Sequence, residues 1–152
     1  MSTTIPVVKA ALVQRLKVAL PDTQVIYGSS GSVTTRGDRV VVVGKTIGRR
    51  DPDSMDSQTY SEDYTVEIVI SVSISAYDMR TAEELALGDY AAADASIRSS
   101  SSQNLGLGSN GVQRAMPDGS FECFEQADND GRHAAVRFFI HVLAQPSSAP
   151  SI

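Results

Sequence analysis

The sequence predicts an α+β domain in which two helices pack on a mainly antiparallel sheet that carries an extended β-hairpin arm. Three observations lead there. Residues 64–76 alternate apolar and polar side chains almost without error, residues 6–20 and 81–97 repeat apolar side chains at helical spacing, and Asp128-Asn129-Asp130-Gly131 separates two strand-like runs. A period of two marks a strand with one buried face, a period near 3.6 marks an amphipathic helix, and an Asp/Asn/Gly cluster marks a hairpin turn. A run of strands and helices that do not alternate regularly belongs to the α+β class. At 152 residues the chain is expected to form a single domain over residues 1–144, with a Pro- and Ser-rich tail at 145–152 expected to be mobile.

The first helix has Pro6 in its opening turn, Val8, Leu12, Leu16 and Ala19 on one face, and Pro21 as its stop. Residues 24–27 follow as a short strand, residues 28–38 as a turn-rich link, and residues 39–43 as a strand of the type buried on both faces. Residues 44–61 contain Gly44, Gly48 and Pro52 among many charges and are expected to be a long loop. With the strands on either side, that loop would make the arm. The strand at 64–76 puts Tyr64, Val66, Ile68, Ile70, Val72, Ile74 and Ala76 on one side, and Thr65, Glu67, Val69, Ser71, Ser73 and Ser75 on the other. Fully extended it would span about 44 Å at ~3.4 Å per residue, against a diameter of about 38 Å for a compact chain of this size. It is therefore expected to cross the whole domain or project from it, and a projecting strand would be covered by neighbouring copies.

Thr81 and Glu84 have the spacing of a capping box and are expected to start the second helix. Ala82, Leu85, Ala86, Ala92, Ala93 and Ile97 would face the sheet, and Ser99 would begin its dissolution into a flexible stretch reaching Gly111. In the closing hairpin, placing residue 128 opposite 131 pairs Phe121 with Phe138 and Cys123 with Val136 in the core, and Glu122 with Arg137 outside.

Composition excludes several classes. The net charge is −5, with three lysines and ten scattered arginines, which argues against tight DNA binding because phosphate contacts depend on Lys and Arg. A lone cysteine, Cys123, forms neither a disulfide framework nor a cysteine-rich metal site. The apolar runs are far shorter than the ~18 residues a membrane helix needs. No signal peptide is legible at the start, so synthesis and folding in the cytosol are expected.

The motif candidates fail on context. Gly106-x-Gly108-x-x-Gly111 spells a dinucleotide fingerprint, but a Ser-rich run precedes it and Pro117 interrupts any following helix. Gly44-Lys45-Thr46 resembles the end of a phosphate loop whose first glycine position is held by Arg39. Residues 51–62 have acids in a calcium-loop frame, but Asp56 stands where the frame requires glycine. His133 and His141 share a strand face roughly 27 Å apart along an extended chain, too far to ligate one metal. No cofactor, metal or catalytic residue is expected. The charges of Lys45, Arg49, Arg50, Asp51, Asp53 and Asp56 read either as a solvated loop or as pairs between subunits.

The order of these segments resembles the tail terminator family of long-tailed bacteriophages. The likeness runs from the helix at 6–20 through Val25-Ile26-Tyr27-Gly28, Val40-Val41-Val42-Val43-Gly44, the charged loop, the strand at 64–76 and the Thr81 helix to the closing strand at 134–140. It is one of order, size and texture and transfers no residue roles one by one. The resemblance implies a structural virion protein, assembled in the host cytoplasm, that caps the tail tube as a hexameric ring. Its implied partners are copies of itself, the tail tube protein and a head-completion or connector protein, with genomic DNA passing through unbound and no membrane involved. Within that reading, Thr65, Glu67, Val69, Ser71, Ser73 and Ser75 join the charged loop as the candidate interface. Another head–tail joining protein, a small enzyme and a monomeric ligand-binding domain are the alternatives.

Overall fold

The computed structural model describes residues 3–28, 39–52, 60–75, 78–128 and 131–146. Helix α1 (Ile5–Ala19) is followed by strands β1 (Gln24–Tyr27), β2 (Arg39–Pro52) and β3 (Tyr60–Ile74), helix α2 (Met79–Arg98), and strands β4 (Val112–Asp128) and β5 (Gly131–Ala144). The sheet order is β1-β2-β3-β5-β4. Only β1 pairs in parallel, with β2, and the other neighbours are antiparallel. Short 3-10 turns at Ser101–Gln103 and Gly108–Asn110 add helical structure beyond the two helices legible in the sequence.

Both helices lie on one face of the sheet. Val8, Leu12, Val13 and Leu16 of α1 and Ala93 and Ile97 of α2 share a core with Val41, Val43, Val66, Ile68, Ile70, Phe138, Ile140 and Val142. Ala82 and Ala86 close a second cluster over Val72, Ala134 and Val136. Their small side chains let α2 lie close to the strands, and each large aliphatic residue so buried contributes about 1.5–3 kcal/mol. Tyr90 fills the space above β5, with its ring centroid 5.0 Å from that of Phe138 in an edge contact and 5.2 Å from that of Phe121.

The expected arm is largely ordinary sheet. Residues 44–52 continue β2 in register with β3 from Thr46 opposite Val66 to Pro52 opposite Tyr60, after a bulge between Val43 and Thr46. β5 accompanies β3 as far as Glu62, so only the last two described β2–β3 pairs extend beyond it. The charges that suggested a loop are tolerated because residues 47–51 are exposed on both sides of this end of the strand. Gly48 is required by proximity: a Cβ there would lie 2.1 Å from the Tyr64 Cβ. β3 is the central strand, hydrogen-bonded on both edges within the chain, so its backbone does not need a neighbour.

Other expectations are corrected at particular residues. Asp78 caps α2 by accepting from the Arg80 N–H, while Thr81 donates its hydroxyl to Asp78 and Glu84 pairs with Arg80. Asp78 therefore occupies the capping position expected for Thr81. Asp89, not Ala92, completes the buried stripe of α2, held by the Arg39 guanidinium. The stretch before β4 is hydrogen-bonded internally: Leu105 N–H donates to Ser100 Oγ, and Asn104 Nδ2 donates to the Val112 carbonyl. β4 begins at Val112 rather than near 121, obscured in sequence by Pro117 and Gly119 at an irregularity between Pro117 and Phe121. The hairpin register is the one expected, Phe121–Phe138, Glu122–Arg137 and Cys123–Val136. Even so, Cys123 is exposed and Phe121 is 51% exposed, although the Tyr90 ring of α2 covers part of Phe121. Gln145 and Pro146, counted with the tail, are anchored by the Gln145 N–H donating to the Gly111 carbonyl; residues 147–152 lie outside the described residues.

Candidate functional site: the uncovered face and free edges of the sheet

With both helices on one side, the other face of the sheet is bare of secondary structure among the described residues. Pleating places Thr65, Glu67, Val69, Ser71 and Ser73 there, all half-buried by their neighbours. The bulge in β2 reverses its parity, so that Arg49 and Asp51, opposite Asp63 and Ser61, join this face. Arg50 falls on the helix side opposite Glu62. The structure thus brings most of the candidate residues together and separates Arg50 from them. Lys45 is exposed at the bulge and Ser75 is exposed beyond the end of β3, while Asp53 and Asp56 lie outside the described residues.

Residues of β5 and β4 complete the face. Arg137 stands 3.7 Å from Glu67 and 3.4 Å from Glu122, with its guanidinium 5.6 Å from the centre of the Phe124 ring. His141 Nε2 is 2.6 Å from Asp63 Oδ1, and His133 Nδ1 is 2.8 Å from Ser73 Oγ. The two histidines serve different partners, so they form no joint site. The alternation of 133–141 puts His133, Arg137, Phe139 and His141 on one strand face, a signal that could have added them to the interface candidates. Arg49 Nε donates to Asp51 Oδ2 at 2.8 Å within its own strand.

On the opposite side, the start of α1 is tied to the sheet by one carboxylate. Glu62, 3% exposed, accepts from the Thr4 backbone N–H at 2.9 Å, from the Thr4 hydroxyl at 2.7 Å and from the Thr3 hydroxyl, with Arg50 3.9 Å away. Burial pushes its pKa upward, but these hydrogen bonds and the Arg50 charge together outweigh burial and hold the carboxyl below the usual range. Burial also pushes the neighbouring Tyr64 hydroxyl up to about 12, keeping it a neutral partner for Thr4 at 2.8 Å. This cluster anchors a helix. A cleft of about 540 Å³ beside it, lined by Thr3, Thr4, Val7, residues 108–111, Gln145 and Pro146, contains no titratable side chain.

Among the described residues no three His, Cys, Asp or Glu side chains are gathered to hold a metal ion, and no helix is long and apolar enough to cross a membrane.

No protein-family model matches this chain. No curated protein matches it either. Its fold is similar to that of a chain from the virion of a native gene transfer agent particle. The likeness covers 90% of this chain and 93% of that one, with a TM-score of 0.51 at 14% identity. At that identity the likeness is one of fold, and it takes in most of both chains.

Proposed function

We propose that this chain is a structural virion protein that closes the end of a phage-type tail tube as a hexameric ring, stopping tube growth and forming the tail side of the head–tail interface. The observation that carries the reading is the near end-to-end likeness of fold to a chain of a gene transfer agent virion. The architecture supports it: the sheet has one face covered by helices, and among the described residues its other face and parts of its outer edges carry no secondary structure, which suits contacts with other chains. The need for such contacts comes from these surfaces, not from the backbone of β3, which is satisfied within the chain. A ring built from one chain requires head-to-tail contacts that close by rotation.

The polar character of the bare face suits a channel through which DNA slides without sticking, since Glu67, Glu122 and Asp63 offset Arg137 and Arg49. Native mass spectrometry and negative-stain imaging of the purified chain test the reading. The expected result is a closed six-fold particle that co-sediments with tail tubes. Binding to portal-containing heads in place of tubes would make it a different neck component, and a monomer at every concentration would end the proposal.

A further inference from the structure

Two stretches of strand have no hydrogen-bonding neighbour on one side among the described residues, and they lie at opposite margins of the sheet. β1 accompanies β2 only from Val40 to Val43, which leaves the outer edge of β2 at residues 45–49 without a strand neighbour among the described residues. β4 is the other margin; its start is covered by the 3-10 segment through Asn104 and Leu107, but residues 118–127 are all exposed. Both free edges carry apolar side chains in water: Ile47 is 61% exposed, Phe121 51% and Phe124 44%. Long exposed edges with apolar residues are templates for pairing.

We infer that neighbouring copies of this chain join edge to edge, the free half of β4 in one copy adding to the free half of β2 in the next. This rests on the ring reading and gives it a contact. Charge selects the pairing. The β2 segment is rich in cations, with Lys45, Arg49 and Arg50 against Asp51, and the β4 segment is acidic, with Asp118, Glu122 and Glu125. Pairing either edge with itself would set like charges opposite each other, which is unfavourable, whereas pairing the two different edges sets opposite charges together. Glu125 already meets the Glu83 carboxyl, which raises its pKa, and neither acid has an ion-pair partner among the described residues. Lys45 likewise has none.

Direction and offset fit as well. Through the antiparallel pairs β2–β3, β3–β5 and β5–β4, β4 runs opposite to β2, so copies related by rotation about an axis near the strand direction meet in antiparallel register. The free half of β2 lies beside residues 60–66 of β3, whereas the free half of β4 lies at the other end of the sheet, beside residues 131–138 of β5. Joining these diagonal segments staggers successive copies, and stagger with strand tilt is what closing a sheet into a cylinder requires.

The native Cys123 on β4 allows a direct test. Lys45→Cys, Ile47→Cys and Arg49→Cys would each place one thiol on β2, and a short thiol-to-thiol cross-linker would be applied to the assembled full-length chains. At least one variant should give a ladder of covalent oligomers ending in a closed ring, lost in a Cys123→Ser background and absent from the parent chain. A ring intact by native mass spectrometry with no ladder from any of the three would overturn the edge contact while leaving the ring. Dimers from the parent chain through Cys123 alone would overturn it in favour of β4 pairing with itself. A ladder without a closed species would uphold the contact and remove the ring, and a monomer at every concentration would remove both.

Discussion

On the helix-covered side of β3, Tyr64, Val66, Ile68, Ile70 and Val72 are at most 3% exposed, while on the other side Thr65, Glu67, Val69, Ser71 and Ser73 keep partial contact with water. One strand thus experiences two regimes. The covered face is held mainly by volume and shape, through aliphatic side chains that touch α1, α2 and one another, with the Tyr64 hydroxyl satisfied by Thr4. The bare face is held by hydroxyls and by charges near the surface, which are individually weak and replaceable. Stability belongs to the first face, so if the second takes part in partner contacts, substitutions on the two sides should separate folding from assembly.

The largest effect is expected on the covered face. Phe138→Ala removes a ring that is 1% exposed and packed against Tyr90, and should cost about 3–5 kcal/mol in urea unfolding. A loss below about 1 kcal/mol would mean that the helix layer is loosely packed. Glu62→Gln is expected to be intermediate, about 1–3 kcal/mol near neutral pH, because an amide cannot accept all the donors that converge on the carboxylate. The pH dependence has a definite sign. The folded-state pKa of Glu62 lies below its unfolded value of about 4.3, so its stabilisation is present above that value and lost as pH falls through the folded-state value. Urea midpoints of the two proteins should therefore converge at acid pH, and a difference that held constant into strong acid would detach Glu62 from the effect. Smallest is Arg137→Gln on the bare face, where part-exposed ion pairs contribute about 0.2–1 kcal/mol. The same change should impair ring formation, as read by native mass spectrometry, if the bare face takes part in assembly.

A second contrast, within β4, sharpens the first. At its start Ala115, Met116 and Pro117 are buried under the turn segment, whereas from residue 118 onward every described side chain through 127 is exposed. The first half is richer in apolar residues and lies under the turn segment, while the second is mostly polar. Phe121 and Cys123 pair with core positions of β5, yet α2 covers them only in part, through Tyr90 over Phe121.

The alternation at 64–76, the helical spacing around Leu12 and the turn at 128–131 were sufficient to place β3, α1 and the closing hairpin, with its register, because each is a local pattern set by the geometry of one element. They were also sufficient to group Thr65, Glu67, Val69, Ser71 and Ser73 on one side. Residues 44–52 were less legible, since Gly48 and the charges look like a loop until β3 lies beside them. Cys123 and Phe121 were assigned to the core by parity, which identifies a face but not whether anything covers it.

The sequence alone determined which residues share a strand face and where the helices lie, because side-chain periodicity follows from backbone dihedrals within a single segment. Only the tertiary structure decided that β3 is central and paired on both edges, that both helices take the same face, and that among the described residues part of β2 and part of β4 lack a strand neighbour on one edge. Those outcomes depend on which distant segments pair and how far each helix reaches along the sheet. The energies involved arise between elements and leave no period in the chain.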